Sequence, residues 1–588
     1  MTSFGKEERW SNLRVLIAFA RPQSRALALG LLLALGGSAA ELATPMITKW
    51  VLDSLEAGVS LRAPILALLV LLVLGAAFGW GQWVVLGSAA EHVVFGARTT
   101  LIGRFLGATV PALQKRSVGE YVTRTTSDTV LLREAASSSI VGIINAVVLG
   151  IGTLVMMAVL DLTLLATTAA AITVVIVMFG VLMPRIAVAE AKTQESVGRL
   201  GGLIEGSLRA IRTVKVSRAE QRILQRARGD AEDARTHSIT AVKVTATAWT
   251  IAWTGVQAAV IVILGFGAWR VGQGELSVST LIAFLLYAFT LLGPVSELAQ
   301  NVSSLQSGIA AAVRIRQMDA LTQETEHATT GRSIATPAGV RGGRGIVELD
   351  DVTHRYDGAA SNALEKVTLT VPRRGHLAIV GPSGAGKTTL VSLLLRLLEP
   401  ASGSLSLAGR EYGTLSHREI RAHMAYVEQD TPVIPGSVRD NVAFTYPDAA
   451  DEEIWLALER LRLADVVREL PDGLDTMLTA SSLSGGQRQR IAMARAILRP
   501  ADLLILDEAT AQVDALTEAA IVSCVEEIAR ERSVVTIAHR LSTVQHADEI
   551  IVLADGVIRA RGTHDELLRT DELYRGLVTA AQLEGATV

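Results

Sequence analysis

The distribution of apolar residues along the chain restricts its fold more than any other feature of the sequence. About 20 consecutive apolar residues are needed for a helix to cross the ~30 Å hydrocarbon core of a bilayer. Six stretches of this kind lie near residues 26–52, 64–89, 138–160, 162–183, 248–271 and 279–304. Short apolar strands and amphipathic helices alternate after residue 346, as in a water-soluble α/β domain. The sequence therefore predicts a helical membrane domain over 1–320, a polar, Gly-rich linker over 321–345 and a soluble domain over 346–588.

The basic residues predict the orientation of the spans. Long polar segments separate the second span from the third and the fourth from the fifth, and both are rich in Arg and Lys. The N-terminus carries further basic residues, namely Lys6, Arg9, Arg14, Arg21 and Arg25. Loops with such an excess of Lys and Arg remain in the cytoplasm. An even number of spans then predicts a multi-pass protein of the cell membrane with both termini in the cytoplasm.

A glycine-rich loop follows an early strand of the soluble half. Its spacing is the G-x-x-x-x-G-K-[ST] pattern of a phosphate-binding P-loop, and a helix is expected to begin near Lys387. The backbone N–H groups of such a loop converge on phosphate oxygens, Lys387 supplies a positive charge near the β and γ phosphates, and Thr388 offers a hydroxyl to Mg²⁺. The sequence thus predicts ATP and Mg²⁺ as cofactors. The predicted loop contacts are Gly381, Pro382, Ser383, Gly384, Ala385, Gly386, Lys387, Thr388 and Thr389.

Three other apolar strands end in polar residues that suit the same site. The segment LLILDE ends in Asp507 and Glu508, SVVTIAH ends in His539, and YVEQ ends in Gln429. In open α/β sheets the ligand crevice lies at the carboxyl ends of the strands, so these side chains can reach the phosphates. Asp507 and Gln429 are oxygen donors for the metal, whereas Glu508 is placed to polarise an attacking water. His539 is a candidate contact to the γ phosphate.

The order of these motifs resembles the nucleotide-binding domain of ATP-binding cassette (ABC) proteins. Tyr356, the P-loop, Gln429, LSGGQ, LLILDE and His539 follow one another from about residue 346 to the C-terminus. LSGGQ is the signature of that family, in which two domains pair head to tail and each signature loop closes over the nucleotide on the other. The resemblance therefore implies a dimer. It also implies that the contacts to the partner's ATP are Ser484, Gly485, Gly486 and Gln487.

The same resemblance assigns roles to the other residues of the site. It implies that Tyr356 stacks on adenine, that Gln429 senses the metal, and that His539 is the γ-phosphate switch. It implies that Glu508 is the general base. The chain departs from the family pattern before the signature, because the loop GLDTMLTASSLSGGQ is short and lacks the usual Glu and Arg. This departure concerns the coupling of the two domains rather than ATP binding.

The membrane half resembles that of exporters in which one chain carries six spans and one cassette. By this resemblance the two polar segments, 113–134 and 205–221, contain short coupling helices that press on the cassettes. The candidates are Gly119 to Thr125 and Arg209 to Val216. The fold class expected is therefore an exporter-type α-helical membrane domain with six spans, followed by an α/β P-loop nucleotide-binding domain.

Three hypotheses for the function follow from the sequence. The first is an ATP-driven exporter of an amphipathic or small-molecule compound, working as a pair of half-transporters with a homodimer favoured over a heterodimer. The second is an importer built on the exporter fold, for a siderophore-like compound. The third, a soluble cassette ATPase acting on nucleic acid, conflicts with six membrane spans. Within the spans, the ionisable residues Glu41 and Glu297 either meet a cationic or polar substrate or are held by neighbouring helices.

Overall fold

The chain forms two compact units in the computed structural model. The first contains Met1–Arg104 and Val118–Ala320, and the second contains Phe105–Ser117 and Leu321–Val588. The structure describes residues 4–324, 345–429, 431–479, 483–507, 515–538 and 540–585. Most of the predicted linker, 325–344, lies outside these ranges. Residues 105–117 lie in the middle of the membrane half of the sequence but belong to the second unit. The predicted domain boundaries did not include this assignment.

The first unit is helical throughout its described part. Five of its helical segments are long and apolar enough to cross a membrane, and they run over Asn12–Glu56, Arg62–Leu106, Val118–Leu160, Glu220–Gly272 and Val278–Ala320. A further helix runs through the predicted fourth span. The helices up to residue 320 are α1 (Phe4–Ala20), α2 (Ser24–Glu56), α3 (Arg62–Leu106), α4 (Val110–Gln114), α5 (Val118–Thr125), α6 (Ser127–Glu134), α7 (Ile140–Leu160), α8 (Leu162–Arg209), α9 (Ile211–Val216), α10 (Glu220–Gly272), α11 (Val278–Thr290) and α12 (Leu292–Arg316).

Helices α2, α7, α11 and α12 pack together in the first unit. Phe284 and Tyr287 of α11 are completely buried there, and the Tyr287 hydroxyl donates to the carbonyl oxygen of Leu42. An ion pair joins the end of α10 to the start of α8, since Arg270 Nη1 lies 2.7 Å from both carboxylate oxygens of Asp161. Asp161 also caps α8 by accepting from the Leu164 N–H at 2.8 Å. These polar contacts connect helices where apolar packing gives little specificity in lipid.

The helices α8 and α10 are far longer than a bilayer requires. They contain 48 and 53 residues, or about 72 and 80 Å of helix at ~1.5 Å per residue. They pack mainly against each other, and α9 connects their polar ends. The predicted coupling stretch Arg209 to Val216 therefore forms the turn between two long helices and contains the short helix α9.

The first predicted coupling stretch, Gly119 to Thr125, keeps its coupling role only as a prediction. It forms α5 and belongs to the first unit, whereas the part of this segment that belongs to the second unit is 105–117 with the short helix α4. Ion pairs account for the assignment of α5 to the first unit. Arg124 of α5 binds Glu120 and Asp128 at 3.0 and 2.9 Å, and Asp128 is also bound by Arg314 of α12. These ion pairs hold α5 against helices of its own unit.

The second unit is an α/β structure built on three sheets. A four-stranded antiparallel sheet has the order β2-β1-β4-β5, a six-stranded sheet has the order β12-β11-β3-β10-β9-β6, and β7 pairs with β8. The strands are β1 (Val347–His354), β2 (Leu364–Val371), β3 (Gly375–Val380), β4 (Ser402–Leu407), β5 (Arg410–Glu411), β6 (Met424–Val427), β7 (Gly436–Ser437), β8 (Met477–Leu478), β9 (Leu503–Asp507), β10 (Ser533–Ile537), β11 (Glu549–Ala554) and β12 (Val557–Gly562).

Ten helices surround these sheets in the part of the second unit that the structure describes after residue 345. They are α13 (Lys387–Leu394), α14 (His417–Ala422), α15 (Val438–Val442), α16 (Asp451–Arg460), α17 (Ala464–Arg468), α18 (Gly485–Leu498), α19 (Ala515–Glu531), α20 (Leu541–Val544), α21 (His564–Thr570) and α22 (Glu572–Gly585). The unit has separate hydrophobic cores. One contains Leu390 and Leu393 of α13, and another contains Ile491 and Met493 of α18. The predicted fold class, a helical membrane domain followed by an α/β domain, is confirmed.

Candidate functional site

The strands that lead to the predicted nucleotide-binding residues all end at one edge of the six-stranded sheet. Ile379 of β3 is level with Ile537 of β10, which is level with Asp507 of β9, and all three strands are parallel. Strand β6 runs parallel to β9 on its other side. The phosphate loop starts at Gly381, one residue after β3, and Gln429 lies two residues after β6. The parallel register therefore brings together side chains that are far apart in sequence.

The phosphate loop curves from β3 into α13. Gly386 immediately precedes the helix with φ +101°, and a Cβ atom there would lie 2.5 Å from the carbonyl oxygen of Ala363. Only glycine satisfies both the left-handed backbone and the close approach. Lys387, the first residue of α13, donates from Nζ to the carbonyl oxygens of Gly381 and Pro382 at 2.6 and 2.9 Å. The ammonium is thus held inside the loop, where its positive charge would attract a bound triphosphate.

Tyr356 presents an aromatic surface beside this loop. Its side chain is 45% exposed, and its hydroxyl lies 3.1 Å from Thr389 Oγ1. The ring meets the ring of His354 edge to face, with centroids 5.0 Å apart. His354 is fixed in turn, since its Nδ1 lies 2.8 Å from the carbonyl oxygen of Glu399 and so donates to it. Tyr356 is therefore positioned by its contacts with His354 and Thr389, and about half of its side chain remains accessible for stacking on a base.

The candidate metal ligands offer oxygen atoms of three kinds. Asp507 provides a carboxylate and is 4% exposed, while Thr388 provides a hydroxyl and Gln429 an amide oxygen at exposed positions. Magnesium prefers hard oxygen ligands and usually binds one or two carboxylates together with nucleotide phosphates. The residues at this edge of the sheet therefore fit Mg²⁺, which would neutralise phosphate charge when bound.

Tyr426 is a site residue that the sequence analysis missed. It lies in β6 beside β9, and its hydroxyl donates to the carboxylate of Asp507. Burial raises the pKa of Tyr426, and the charges of Asp507 and Glu428 raise it further, so the phenol keeps its proton at neutral pH. Its position three residues before Gln429 was the available signal. The alternation of side chains along β6 does not reveal which neighbouring strand carries the hydrogen-bond acceptor of Tyr426.

The signature loop begins a helix of its own. Ser484 is the N-cap of α18, where its Oγ accepts from the Gln487 N–H at 3.2 Å and its own N–H donates to Gln487 Oε1 at 2.8 Å. This capping box leaves the Ser484 hydroxyl proton available to an acceptor. Gly485 and Gly486 form the first turn, whose N–H groups point along the positive end of the helix dipole. The predicted helix start is therefore present at Ser484, Gly485, Gly486 and Gln487, and its contact with a partner's phosphate stays a prediction.

Two predicted catalytic residues lie outside the described residues. Glu508 follows directly after Asp507, the last residue of β9, and His539 comes two residues after β10 ends. The strands that lead to both residues end at the edge that carries the phosphate loop. The predicted roles of Glu508 and His539 remain predictions.

The two acidic residues predicted within the spans lie on different helices. Glu297 of α12 lies within electrostatic range of Glu41 of α2. Close by, Ser38 of α2 donates its hydroxyl to Asn145 Oδ1 of α7 at 2.7 Å. Glu41 is exposed and Glu297 is half-buried within its unit. Polar side chains of α2, α7 and α12 thus occur within otherwise apolar segments.

Comparison with known proteins places both units in one family. Residues 27–295 match the family model described as ABC transporter transmembrane region, and residues 364–511 match the model described as ABC transporter. The chain is 31% identical over 510 residues to an ATP-dependent lipid A-core flippase of Photobacterium profundum, covering 86% of each chain. It is 28% identical over 569 residues to a multidrug resistance ABC transporter ATP-binding and permease protein of Lactococcus lactis, covering 96% of this chain and 94% of that one.

A solved structure has the same fold. It is that of a bacterial Atm1-family ABC exporter with ATP bound, with a TM-score of 0.75 over 95% of this chain and 98% of that chain. The sequences are 23% identical, so the likeness concerns the fold alone.

Proposed function

This chain belongs to the ABC transporter family and couples ATP hydrolysis to transport across a membrane, and from this premise we propose that it is a half-transporter that exports an amphipathic or small-molecule compound. Two such chains would form the working transporter with two ATP sites. The termini and the nucleotide-binding unit would face the cytoplasm. The favoured partner is a second copy of the chain.

The packing of the phosphate-loop helix and the signature helix into different hydrophobic cores supports the pairing of two chains. The helix that begins at Lys387 packs into one hydrophobic core of the second unit, whereas the helix that begins at Gly485 packs into another. Each loop ends at a helix N-terminus that suits an anion. One chain therefore offers two halves of ATP sites, and a partner completes each. Because every ATP-contacting motif is intact in this sequence, two copies would make two competent sites.

The long helices of the first unit support the pairing. Helices α8 and α10 pack mainly against each other, yet apolar side chains such as Val197, Ile204 and Leu208 of α8 are about half exposed or more. These residues lie far along the helix, in its polar part beyond the predicted span. A second half-transporter would cover such side chains, because exposed apolar surface in water is unfavourable.

The acidic residues Glu41 and Glu297 bear on the nature of the transported compound. A charged side chain near the bilayer centre costs roughly 2.5–3.5 kcal/mol on insertion scales and usually faces protein or water. Two carboxylates whose charges interact favour a compound with a cationic or polar group and an apolar body. The relatives named as a lipid A-core flippase and a multidrug resistance transporter are consistent with an amphipathic compound.

Transport by purified protein in liposomes tests the proposal. ATP added outside energises only those transporters whose nucleotide-binding unit faces outward. We expect ATP-dependent movement of NBD-labelled phospholipid or the dye Hoechst 33342 from the outer side to the inner side, which corresponds to export from a cell. The Glu508→Gln variant is the inactive control. ATP-dependent movement in the opposite direction would instead support the importer alternative.

A further inference from the structure

The two chain segments that lead out of the first unit pair with each other. Arg104 at the end of one segment and Asp319 at the end of the other form an ion pair of 2.8 Å within the first unit. Directly after these residues, in the second unit, the Thr109 N–H donates to the Thr322 carbonyl at 2.9 Å, and Ala108 forms an antiparallel bridge with Gln323. The end of α3 and the residues that follow α12 therefore continue into the second unit as a paired structure.

One arginine fastens this paired structure to the rest of the second unit. Arg421 of α14 binds Glu324 through two parallel contacts, Nη1 to Oε2 at 2.9 Å and Nη2 to Oε1 at 2.8 Å. The two side chains are 32% and 20% exposed. Glu324 is also held by its backbone, since its N–H donates to the Gly107 carbonyl at 2.8 Å. A bidentate and half-buried pair of this kind has a better defined geometry than an ordinary surface ion pair.

The same arginine contacts the far end of the phosphate-loop helix. Its Nε donates to the carbonyl oxygen of Leu395 at 3.1 Å, and Nη2 donates to that of Arg396 at 2.9 Å. Leu395 is the C-cap of α13, the helix that begins at Lys387. The guanidinium thus bridges the carboxylate of Glu324 and the negative end of α13.

The backbone of Arg421 contacts the far end of the signature helix. Arg499, the C-cap residue of α18, donates from Nη2 to the Arg421 carbonyl oxygen at 2.8 Å. Arg532 donates in turn to the carbonyl oxygens of Arg499 and Ala501 at 2.9 and 3.0 Å. The C-terminal ends of both helices that begin at the ATP-contacting loops therefore contact Arg421.

We propose that Arg421 is a positioning residue for the coupling of ATP binding to the membrane unit. Arg421 connects the ends of α13 and α18 to Glu324. Through the bridge between Ala108 and Gln323, it also connects these helix ends to both chain segments that leave the membrane unit. A displacement of either helix on ATP binding would then move the paired segments. The inference depends on ATP-coupled transport but not on the compound moved or on its direction.

The tryptophans of this chain allow a test that needs no transported compound. Of the 8 Trp residues, Trp455 alone belongs to the second unit, and the others are Trp10, Trp50, Trp80, Trp83, Trp249, Trp253 and Trp269. In a Trp455→Phe background, intrinsic fluorescence reports on the membrane unit. The measurement is the fluorescence change of the full-length protein in lipid nanodiscs on addition of AMP-PNP and Mg²⁺. The affinity for a fluorescent ATP analogue is measured separately.

Glu324→Gln is the main variant, and Glu459→Gln is its matched control. Glu459 also pairs with an arginine at 2.8 Å, that of Arg468, but on the surface of α16 and α17. We expect Glu324→Gln to bind the analogue within about twofold of the parent while the fluorescence change falls to half or less. Arg421→Lys, which keeps the charge but lacks the forked donors, should behave in the same way. Glu459→Gln should match the parent in both measurements.

Full fluorescence changes in Glu324→Gln and Arg421→Lys, with unchanged affinity, would overturn the proposal. A loss of analogue binding in Glu324→Gln that parallels the loss of the fluorescence change would also overturn it, because the pair would then serve the ATP site itself. Thermal unfolding of each variant identifies loss of fold. If Glu324→Gln is unstable, Glu324→Asp replaces it, since the shorter side chain keeps the charge and cannot span both contacts.

Discussion

The ammonium of Lys387 donates to the carbonyl oxygen of Gly381 at 2.6 Å, so the cation is held inside the loop that precedes its own helix. Its side chain is buried, as are those of Thr389 and Leu390 in the first turn of α13. A positive charge fixed in this position interacts with a bound triphosphate before and during hydrolysis. The contact leads directly to a prediction about nucleotide affinity.

Lys387→Ala is expected to weaken ATP binding itself. Hydrogen bonds to charged groups contribute about 1.5–3 kcal/mol, which corresponds to roughly a ten- to hundredfold change in Kd. Titration with a fluorescent ATP analogue measures the change, and Lys366→Ala, an exposed lysine of β2, is the control. Equal affinities of the two variants would contradict the assignment of the phosphate loop.

Glu508→Gln should separate binding from hydrolysis. The amide keeps the shape of the side chain but cannot accept a proton from water, and loss of a general base lowers rates by about 10²- to 10⁴-fold. We expect normal nucleotide affinity, closure of the dimer in the presence of ATP, and almost no phosphate release. Release of phosphate near the parent rate would show that another residue activates the water.

Tyr426→Phe is expected to change the magnesium dependence of nucleotide binding. Tyr426 donates to Asp507, and groups that hydrogen-bond to a metal ligand typically affect metal affinity by 10- to 100-fold. Affinity for the ATP analogue in EDTA should remain as in the parent. The Mg²⁺ concentration that gives half of the Mg²⁺-dependent gain in affinity should rise about tenfold. Tyr446→Phe, in a turn after α15, serves as the control, and identical Mg²⁺ curves for both variants would remove Tyr426 from the site.

Mixed dimers test whether the signature loop serves the ATP of a partner. A dimer of one Lys387→Ala chain and one Gly485→Asp chain places both lesions at one shared site and leaves the other site intact. Aspartate at position 485 repels the γ phosphate at short range. We expect residual ATPase activity in purified mixed dimers and none in dimers whose chains all carry both changes. Activity in the double-mutant dimers would show that the loop at Ser484 is not part of an ATP site.

Local sequence patterns were sufficient for much of the fold and for the backbone of the ATP site. Apolar runs of about 20 residues identify spans because bilayer thickness fixes the length of a helix. The strand before Gly381, the helix at Lys387 and the helix start at Ser484 follow from glycine spacing, apolar runs and a capping box, all of which act within a few residues. Asp507 and Gln429 could be placed together because parallel strands expose their carboxyl ends at one edge.

The tertiary structure decided which distant residues became partners. Glu324 and Arg421 are 97 positions apart, and the sequence around each shows only a charged side chain near a helix or linker. Tyr426 contacts Asp507 only because β6 lies beside β9 in the sheet order. The assignment of residues 105–117 to the second unit and of α5 to the first likewise depends on long-range ion pairs and backbone bonds. Local patterns set the secondary structure of each segment, whereas its partners depend on packing of the whole chain, which no short window of sequence records.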